Sequence, residues 1–388
     1  MAVSKYLLLF LLPLVTSSLE ERLCNSPKLY DDHPVLCKML DRLYQDEESF
    51  ANEISTWAKK EGLLVGSEWP KVPKSLYQGV IEDSKQLPVV FAHGMGDSCF
   101  NSGFQRIVQH TSQLLNDVYT VCVPTGKTQS EDTTNGYFLN MDASVDVFAQ
   151  AIQEDPKLAE GFHAVGLSQG NNVIRGYIAR YNDPPVDTFI SINGVNAGTG
   201  ALPNCFPKTE ESLEGVGGMC ELLIEQASRR AYTEFAQKHS FQANYWRDPK
   251  PSQKEAYQKY SQLARWNNEG EPFNQTLKDN YAKTNHFVWI MATNDEMVWP
   301  KEGEQWGAAD PNAPFQKILP RNETEWYIKD LFGLRTAEEQ VSFFGGFNVL
   351  FRVCVISGWS DLFMRSFGCV GQEYVSFLRG KPPSIFNG

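Results

Sequence analysis

The chain has 388 residues, of which 42% are hydrophobic and 21% are charged, a balance typical of a globular protein rather than a disordered one. This length is enough for one large α/β domain with an appendage, or for two modest domains. The formal net charge of -12 argues against nucleic acid as the main partner, because backbone phosphates would repel the chain.

The first residues have the composition of a secretory signal. A lysine at position 5 precedes an apolar run from Tyr6 to Val15, and the small residues 16–18 follow it. Ten apolar residues are too few to span a bilayer, so the pattern predicts a cleaved signal in residues 1–18. An uncleaved anchor and a buried helix are the alternatives.

Residues 19–83 are polar and helix-patterned, then become rich in proline and lysine. This predicts a helical extension followed by a linker, with Cys24 and Cys37 as candidates for a disulfide across it. Eight cysteines in an oxidising compartment favour disulfides, but their spacing alone does not fix the pairs. Two N-x-S/T sequons, at Asn274 and Asn322, favour the same secretory route.

From residue 84 onward, apolar runs of strand length alternate with segments of helical periodicity. The predicted strands lie at 87–94, 118–123, 162–166, 186–194 and 286–295, and the predicted helices at 104–115, 144–153 and 171–181. This alternation predicts an α/β fold, with a mostly parallel central sheet and helices on both faces. The polar and aromatic residues 200–280 predict a helical insertion over the sheet.

Ser168 is the first candidate for chemistry. It lies in Gly166-Leu167-Ser168-Gln169-Gly170, between a predicted strand and a predicted helix. This order is the pattern of a nucleophile elbow, in which small neighbours let the strand and helix pack closely around a strained serine. A plain strand-to-helix turn is the alternative.

The segment "FAHGMGDSCFNSGF" (91–104) ends the first predicted strand in a glycine-flanked turn. Such a turn supplies the second oxyanion donor in α/β-hydrolases, so the predicted donors are the backbone amides of Met95 and Gln169. The alternative is a simple turn with His93 buried and hydrogen-bonded.

Asp295 ends the apolar strand in "IMATNDEMVWP". An acid at the carboxyl end of a late strand is where a hydrolase triad places the group that orients its histidine. An Asx-turn or a helix N-cap is the alternative.

Together these segments resemble the palmitoyl-protein thioesterases, lysosomal α/β-hydrolases that remove fatty acyl groups from cysteines. The resemblance covers about residues 85–335 and rests on "PVVFAHGMGDSC", "VGLSQGNNVIRGYI", "INGVNAGTGALPNC", "QANYWRDP" and "TNDEMVWP". It implies an α/β-hydrolase domain over 84–388, with Ser168 as nucleophile, Asp295 as triad acid, and Met95 and Gln169 as oxyanion amides. It also implies a disulfide between Cys205 and Cys220, flanking the insertion.

The base of the triad is missing. The family places its histidine near the C-terminus in a G-D-H-L-like loop, but no histidine follows His286 in this sequence. The nearest match is Trp359-Ser360-Asp361-Leu362. His286 begins the strand that ends near Asp295, so it is expected roughly 30 Å from that acid. His93 is the nearest substitute, whereas the remaining histidines fall elsewhere; these are His33, His110, His163 and His239.

Two explanations for the missing base stay open. The chain is an inactive relative that binds acyl groups, or its atypical tail (341–371) is a splice or gene-model variant of an active enzyme. A membrane-spanning helix in the tail is a weaker third idea, because Arg352 and paired glycines interrupt it.

The resemblance implies a thioesterase acting on S-acylated protein or peptide in the lysosome or secretory pathway, with at most peripheral membrane contact. Another lipid or ester hydrolase of the same fold is the rival. No metal or cofactor is predicted, since the sequence holds no C-x-x-C, H-E-x-x-H or G-x-G-x-x-G pattern.

Overall fold

A computed structural model of the protein describes residues 86–202, 218–292, 294–343 and 355–356. The predicted signal (1–18) and the predicted extension and linker (19–83) lie outside these residues and stay predictions. Most of the atypical tail also lies outside them.

The described strands form one parallel sheet and one hairpin. They are β1 (Val89–Ala92), β2 (Thr120–Cys122), β3 (Phe162–Leu167), β4 (Val186–Ile192), β5 (His286–Ala292), β6 (Ala308–Asp310), β7 (Ala313–Leu319) and β8 (Val355–Ile356). The sheet has the order β2-β1-β3-β4-β5-β8, and each neighbouring pair in it is parallel. The predicted parallel sheet is therefore confirmed. β1, β2, β4 and β5 fall within their predicted segments, and β3 extends one residue beyond 162–166, to Leu167.

Helices connect and cover these strands. They are α1 (Ser102–Leu114), α2 (Gln129–Phe138), α3 (Met141–Glu154), α4 (Gly170–Arg180), α5 (Gly218–Arg230), α6 (Glu234–His239), α7 (Phe241–Asn244), α8 (Lys254–Tyr260), α9 (Gln262–Trp266), α10 (Gln275–Ala282), α11 (Glu325–Ile328) and α12 (Leu334–Phe343). The segment predicted as a helical insertion thus holds the helices α5 to α10 in its described part.

The core lies on both faces of the sheet. In β1, Val89 and Phe91 pack with residues of α1, whereas Val90 and Ala92 pack with residues of α3 and α4. Successive strand residues point to opposite faces, so a strand covered on both sides must be apolar throughout. This is why "PVVFA" reads as a continuous apolar run.

Three features of the fold were not anticipated from the sequence. The polar segment before α3 forms the helix α2, β6 and β7 pair as an antiparallel hairpin, and Cys99 forms a disulfide with Cys122. This disulfide joins the loop after β1 to the end of β2.

Within the described residues, no helix has both the length and the apolar character needed to cross a membrane.

Candidate active site

The candidate site lies where the strand order of the sheet reverses. β1 lies between β2 and β3, and Ala92 at the end of β1 pairs in register with Gly166 near the end of β3. Connections from these two strands run in opposite directions, which opens a crevice at their carboxyl ends. The loops that follow β1 and β3 therefore meet at this edge.

Ser168 follows β3 directly and has a φ of 50°, in the left-handed region that a serine rarely adopts. Its amide donates to the Ile192 carbonyl at 2.9 Å, and its side chain is only half-buried. A Cβ added at Gly94 would lie 3.3 Å from the Ser168 Cβ, so the loop after β1 lies directly against the serine. This is the strained, accessible geometry that a nucleophile elbow has.

Two backbone amides flank this serine. Met95 lies in a turn closed by a hydrogen bond from the Asp97 amide to the Gly94 carbonyl, and Gln169 follows the serine at the start of α4. Among the residues that the structure describes, neither the Met95 nor the Gln169 amide has a hydrogen-bond acceptor. Free amides beside a helix N-terminus are suited to an anionic oxygen.

Asp295 lies at the same edge, in the loop after β5, and is 5% exposed. Its Oδ1 accepts from the amides of Met297 and Val298 at 2.6 and 2.7 Å, which is the geometry of an Asx-turn. Its Oδ2 accepts from the Asn193 side chain at 3.2 Å. Asn193 directly follows Ile192, whose carbonyl holds the Ser168 amide, so β4 connects the serine and the carboxylate.

Glu304 is a buried acid that the sequence analysis missed. Its side chain is fully buried, and both carboxyl oxygens have no hydrogen-bond partner among the described residues. Burial, with the nearby charge of Asp295, holds its pKa well above the usual range. The neutral form of Glu304 is therefore favoured beside Asp295. Its burial could not be predicted from the polar segment "KEGEQ" (301–305).

His93 is buried and hydrogen-bonded, as the sequence analysis gave in its alternative for this turn, and it does not replace the missing base. Its Nε2 lies 3.0 Å from Oδ1 of Asp132, and its Nδ1 lies 3.0 Å from the Gly94 carbonyl oxygen. Both partners accept, so both ring nitrogens donate. Burial alone would lower the pKa of His93, but the hydrogen bond and charge of Asp132 outweigh it and raise the pKa. Because Asp132 and the Gly94 carbonyl occupy both ring nitrogens, His93 has no nitrogen left to take a proton from Ser168.

The other described histidines lie away from this edge. His286 is the first residue of β5, at the opposite end from Asp295, and His163 is the second residue of β3. His110 lies within α1, and His239 ends α6 with its ring against Phe235. His33 lies outside the described residues, as does the expected C-terminal loop around Trp359–Leu362.

Burial of His163 predicts a pH-dependent stability. The side chain is 6% exposed, and burial lowers its pKa from 6.5 to about 4, despite the opposing charge of Asp187. Between these pKa values the unfolded chain binds a proton that the folded chain does not. The free energy of unfolding should therefore fall by roughly 3 kcal/mol as the pH drops from about 6.5 to about 4.

Urea unfolding at several pH values checks this expectation. We expect His163→Gln to remove this part of the slope, whereas His239→Gln, at an exposed position, should leave it intact. Parallel stability curves for wild type and His163→Gln would contradict the assignment.

No metal site emerges from the described residues. His93, Cys99 and Asp132 place three ligand-type atoms within 4.8 Å of one another. The Cys99 sulfur, however, is bonded to Cys122, and the two other groups bond each other. A disulfide sulfur is not the thiolate that metals bind.

The structure describes only some of the remaining predicted residues. Asn274 and Asn322 are both exposed, and Asn274 caps α10 by accepting from the Thr276 amide. Their glycosylation stays a prediction. Cys205 and the Cys220 side chain lie outside the described residues, so the predicted bridge between them stays a prediction as well.

Comparisons with known proteins agree with this geometry. A profile of the family described as palmitoyl protein thioesterase matches residues 88–344. Palmitoyl-protein thioesterase 1 of Caenorhabditis elegans is 33% identical over 258 residues, which cover 66% of this chain and 83% of that protein. Lysosomal thioesterase PPT2 of Homo sapiens is 26% identical over 261 residues, which cover 64% and 76%.

Among solved structures, a soluble variant of monoglyceride lipase from Saccharomyces cerevisiae resembles the chain with a TM-score of 0.42 and 10% identity. The match covers 82% of this chain and all of that one, and at this score it says nothing about function. The parallel sheet with helices on both faces, together with the family that the profile identifies, gives the chain the α/β-hydrolase fold. With the family profile matching about two thirds of its length, the chain belongs to the palmitoyl protein thioesterase family.

Proposed function

We propose that the protein hydrolyses the thioester bond between a long-chain fatty acyl group, such as palmitoyl, and a cysteine of an S-acylated protein. One observation carries this proposal: Ser168 occupies a strained elbow beside two amides, at Met95 and Gln169, that have no acceptor of their own among the described residues. A strained serine with two free amides beside it is the arrangement that acyl transfer needs.

In this reaction, the Ser168 Oγ attacks the thioester carbonyl and forms a C–O bond. The Met95 and Gln169 amides stabilise the negative charge that develops on the carbonyl oxygen. The C–S bond then breaks, and the cysteine sulfur leaves with the proton that Ser168 gave up. Water hydrolyses the acyl-enzyme and releases the fatty acid. Asp295 is proposed to orient the group that moves these protons, a place that the family gives to a C-terminal histidine which this sequence does not have.

A catalytically impaired relative that binds acyl groups is the second candidate. The observation that favours it is the absence of a base: both nitrogens of His93 donate, and no histidine follows position 286. Enzymes that lose a triad member keep only about 10³–10⁴-fold catalysis over water, from the oxyanion hole and substrate binding. We therefore expect thioester hydrolysis by this chain to be slow.

The test uses a palmitoyl-thioester peptide, an oxygen-ester control, and the Ser168→Ala variant. The proposal predicts that wild type releases palmitate from the thioester faster than Ser168→Ala does, and faster than wild type cleaves the oxygen ester. Equal background rates for wild type and Ser168→Ala would favour the acyl-binding relative. Turnover of the oxygen ester alone would favour a general esterase.

Restoring the base gives a sharper version of this test. Asp361 occupies the place in Trp359-Ser360-Asp361-Leu362 that histidine has in a G-D-H-L-like loop. Asp361→His is expected to raise kcat/KM for the thioester by roughly 100-fold, because a general base contributes about 10²–10⁴. The same change in a Ser168→Ala background should stay at the background rate. A Ser168-independent gain would count against the triad.

The proposed setting is the secretory pathway or lysosome. The predicted signal, the two exposed sequon asparagines and the lysosomal name of the human relative support it. The proposed partner is an S-acylated protein or peptide, with at most peripheral membrane contact. Within the proposed thioesterase domain (84–388), the insertion at about 200–280 is proposed to shape the groove for the acyl chain.

A further inference from the structure

Helix α2 carries a buried carboxylate that holds both sides of the loop after β1. Asp132 is fully buried, and its Oδ1 lies 3.0 Å from the His93 ring. Its Oδ2 accepts from the Ser98 hydroxyl at 2.8 Å and from the Cys99 amide at 2.9 Å. Because His93 precedes Met95 and the other two residues follow it, the Met95 turn is tied to α2 at both ends.

One helical turn later, α2 holds the residue after the serine. The Gly136 carbonyl accepts from the Gln169 side-chain amide at 2.6 Å and from the Gln242 side-chain amide at 3.0 Å. Gln242 donates its second hydrogen to the Gln169 Oε1 at 2.9 Å. Gln242 belongs to α7, so this cluster also connects the elbow to the insertion.

The two contact points lie close together. A Cβ at Gly136 would be 3.7 Å from the Gly96 amide nitrogen and 3.8 Å from Nε2 of Gln169, so the helix packs directly on both loops. The Tyr137 hydroxyl occupies the position that a Cβ at Gly96 would need, at 2.3 Å. One face of α2 is therefore in contact with both segments that carry the free amides.

We propose that α2 positions the oxyanion hole, with Asp132 fixing the Met95 amide and the Gly136–Gln242 cluster fixing the Gln169 amide. This inference rests on the proposed function, because it assigns a role to the contacts around the proposed Ser168 site. Neither Asp132 nor Gln242 touches the reacting atoms, so both are positioning residues. Donors must lie within about 3 Å of the developing oxyanion, and misplacement by about 1 Å can cost 100-fold in rate.

The charge state of Asp132 suits this role. Burial would raise its pKa, but the His93 hydrogen bond and charge, with further bonds from Ser98 and from the Thr125 amide, lower the pKa to about 2. The carboxylate thus stays ionised across the acidic range of a lysosome. Its place in the first turn of α2 adds a favourable interaction with the helix dipole.

Binding of octylboronic acid tests the inference without needing turnover. A boronic acid that adds to the Ser168 Oγ forms a B–O bond and carries a tetrahedral, anionic centre like the one that forms during acyl transfer. The hydroxyl proton passes to the buffered solvent, so the binding equilibrium can be measured without turnover. We expect Asp132→Asn to weaken boronate binding by roughly 10-fold or more, while affinity for hexadecanol, which has the alkyl chain but no anionic oxygen, stays within about twofold of wild type. Gln242→Met keeps a similar side-chain volume but removes the hydrogen bonds to Gly136 and Gln169. It should weaken boronate binding by a similar factor and leave the affinity for the control ligand unchanged.

The control is Asp146→Asn, the same change on α3, where Asp146 pairs with Arg180 away from the loops. It should leave both affinities unchanged. Boronate affinity equal to wild type in folded Asp132→Asn and Gln242→Met would overturn the positioning role while leaving the proposed function intact. If wild type binds boronate no better than Ser168→Ala does, the serine site fails, and the positioning role fails with it. If Asp132→Asn does not fold, Gln242→Met decides alone.

Discussion

Gly170→Ala is expected to destabilise the fold by roughly 3 kcal/mol, because the added methyl group would overlap the backbone of a central strand. A Cβ at position 170 would lie 2.3 Å from the Ala92 carbonyl oxygen and 2.6 Å from that of His93. These atoms belong to β1 and its loop, which the sheet holds on both sides, so they cannot move aside as a flexible side chain would. Chemical unfolding of the purified variant measures the loss.

Gly136→Ala is the matched control for stability. It is also a glycine-to-alanine change in a helix, but its Cβ would meet only ordinary contacts, at 3.7 Å or more. Alanine is favoured over glycine in a helix interior by about 1 kcal/mol, so this variant is expected to be as stable as wild type or slightly more stable. Similar losses in both variants would show that the close approach of α4 to β1 is not what position 170 requires.

The same close approach explains why the elbow was predictable. A strand, a strained turn and a helix that meet within five residues leave no room for side chains at fixed positions. Gly166 and Gly170 occupy these positions, so the local sequence predicts the turn. The sheet was predictable for a similar reason, since a parallel strand covered on both faces is a short apolar run. The position of Asp295 after β5 was predictable because an apolar run that ends in a polar loop marks the carboxyl end of a strand; its role stays a prediction.

The supporting residues of the site could not be found in this way. His93 and Asp132 are 39 residues apart, and Gln169 and Gln242 are 73 apart. Each of these contacts depends on how α2 and α7 pack against the elbow, and no local pattern encodes that packing. Glu304 is similar, because a glutamate in a polar segment normally predicts an exposed side chain, whereas here it is buried.

The structure indicates where a triad histidine would have to lie in this fold. His93 lies in the loop after β1, beside the loop that carries the serine, yet its hydrogen bonds commit both nitrogens to Asp132 and to the Gly94 carbonyl. β8 pairs in parallel with β5, and β5 is the strand that leads to Asp295. The chain therefore leaves β8 at the edge where a triad histidine is needed, and the residues from 357 onward contain none. This is why the proposed rescue changes residue 361 rather than a described residue.

Glu269→Gln is expected to cost about 3–5 kcal/mol, because it leaves the Arg247 charge buried without its partner. Arg247 is 17% exposed and Glu269 is 12% exposed, and the two form a bidentate pair with distances of 2.6 and 2.8 Å. The Glu269 Oε1 also accepts from the Tyr257 hydroxyl and from the Asn267 side chain. Glutamine has the same shape but presents an amide donor to the guanidinium, so the pair cannot be remade.

The matched control is Glu234→Gln, the same change in the exposed pair with Lys238 on α6, which should leave the unfolding midpoint unchanged because water screens such pairs. The double variant Arg247→Leu/Glu269→Leu is expected to be more stable than Glu269→Gln, since it removes both charges at once. Urea unfolding of the four proteins at neutral pH makes the comparison. If Glu269→Gln and Glu234→Gln lower the free energy of unfolding by the same small amount, the predicted cost is wrong. Solvent would then screen the Arg247–Glu269 pair as it screens the exposed one.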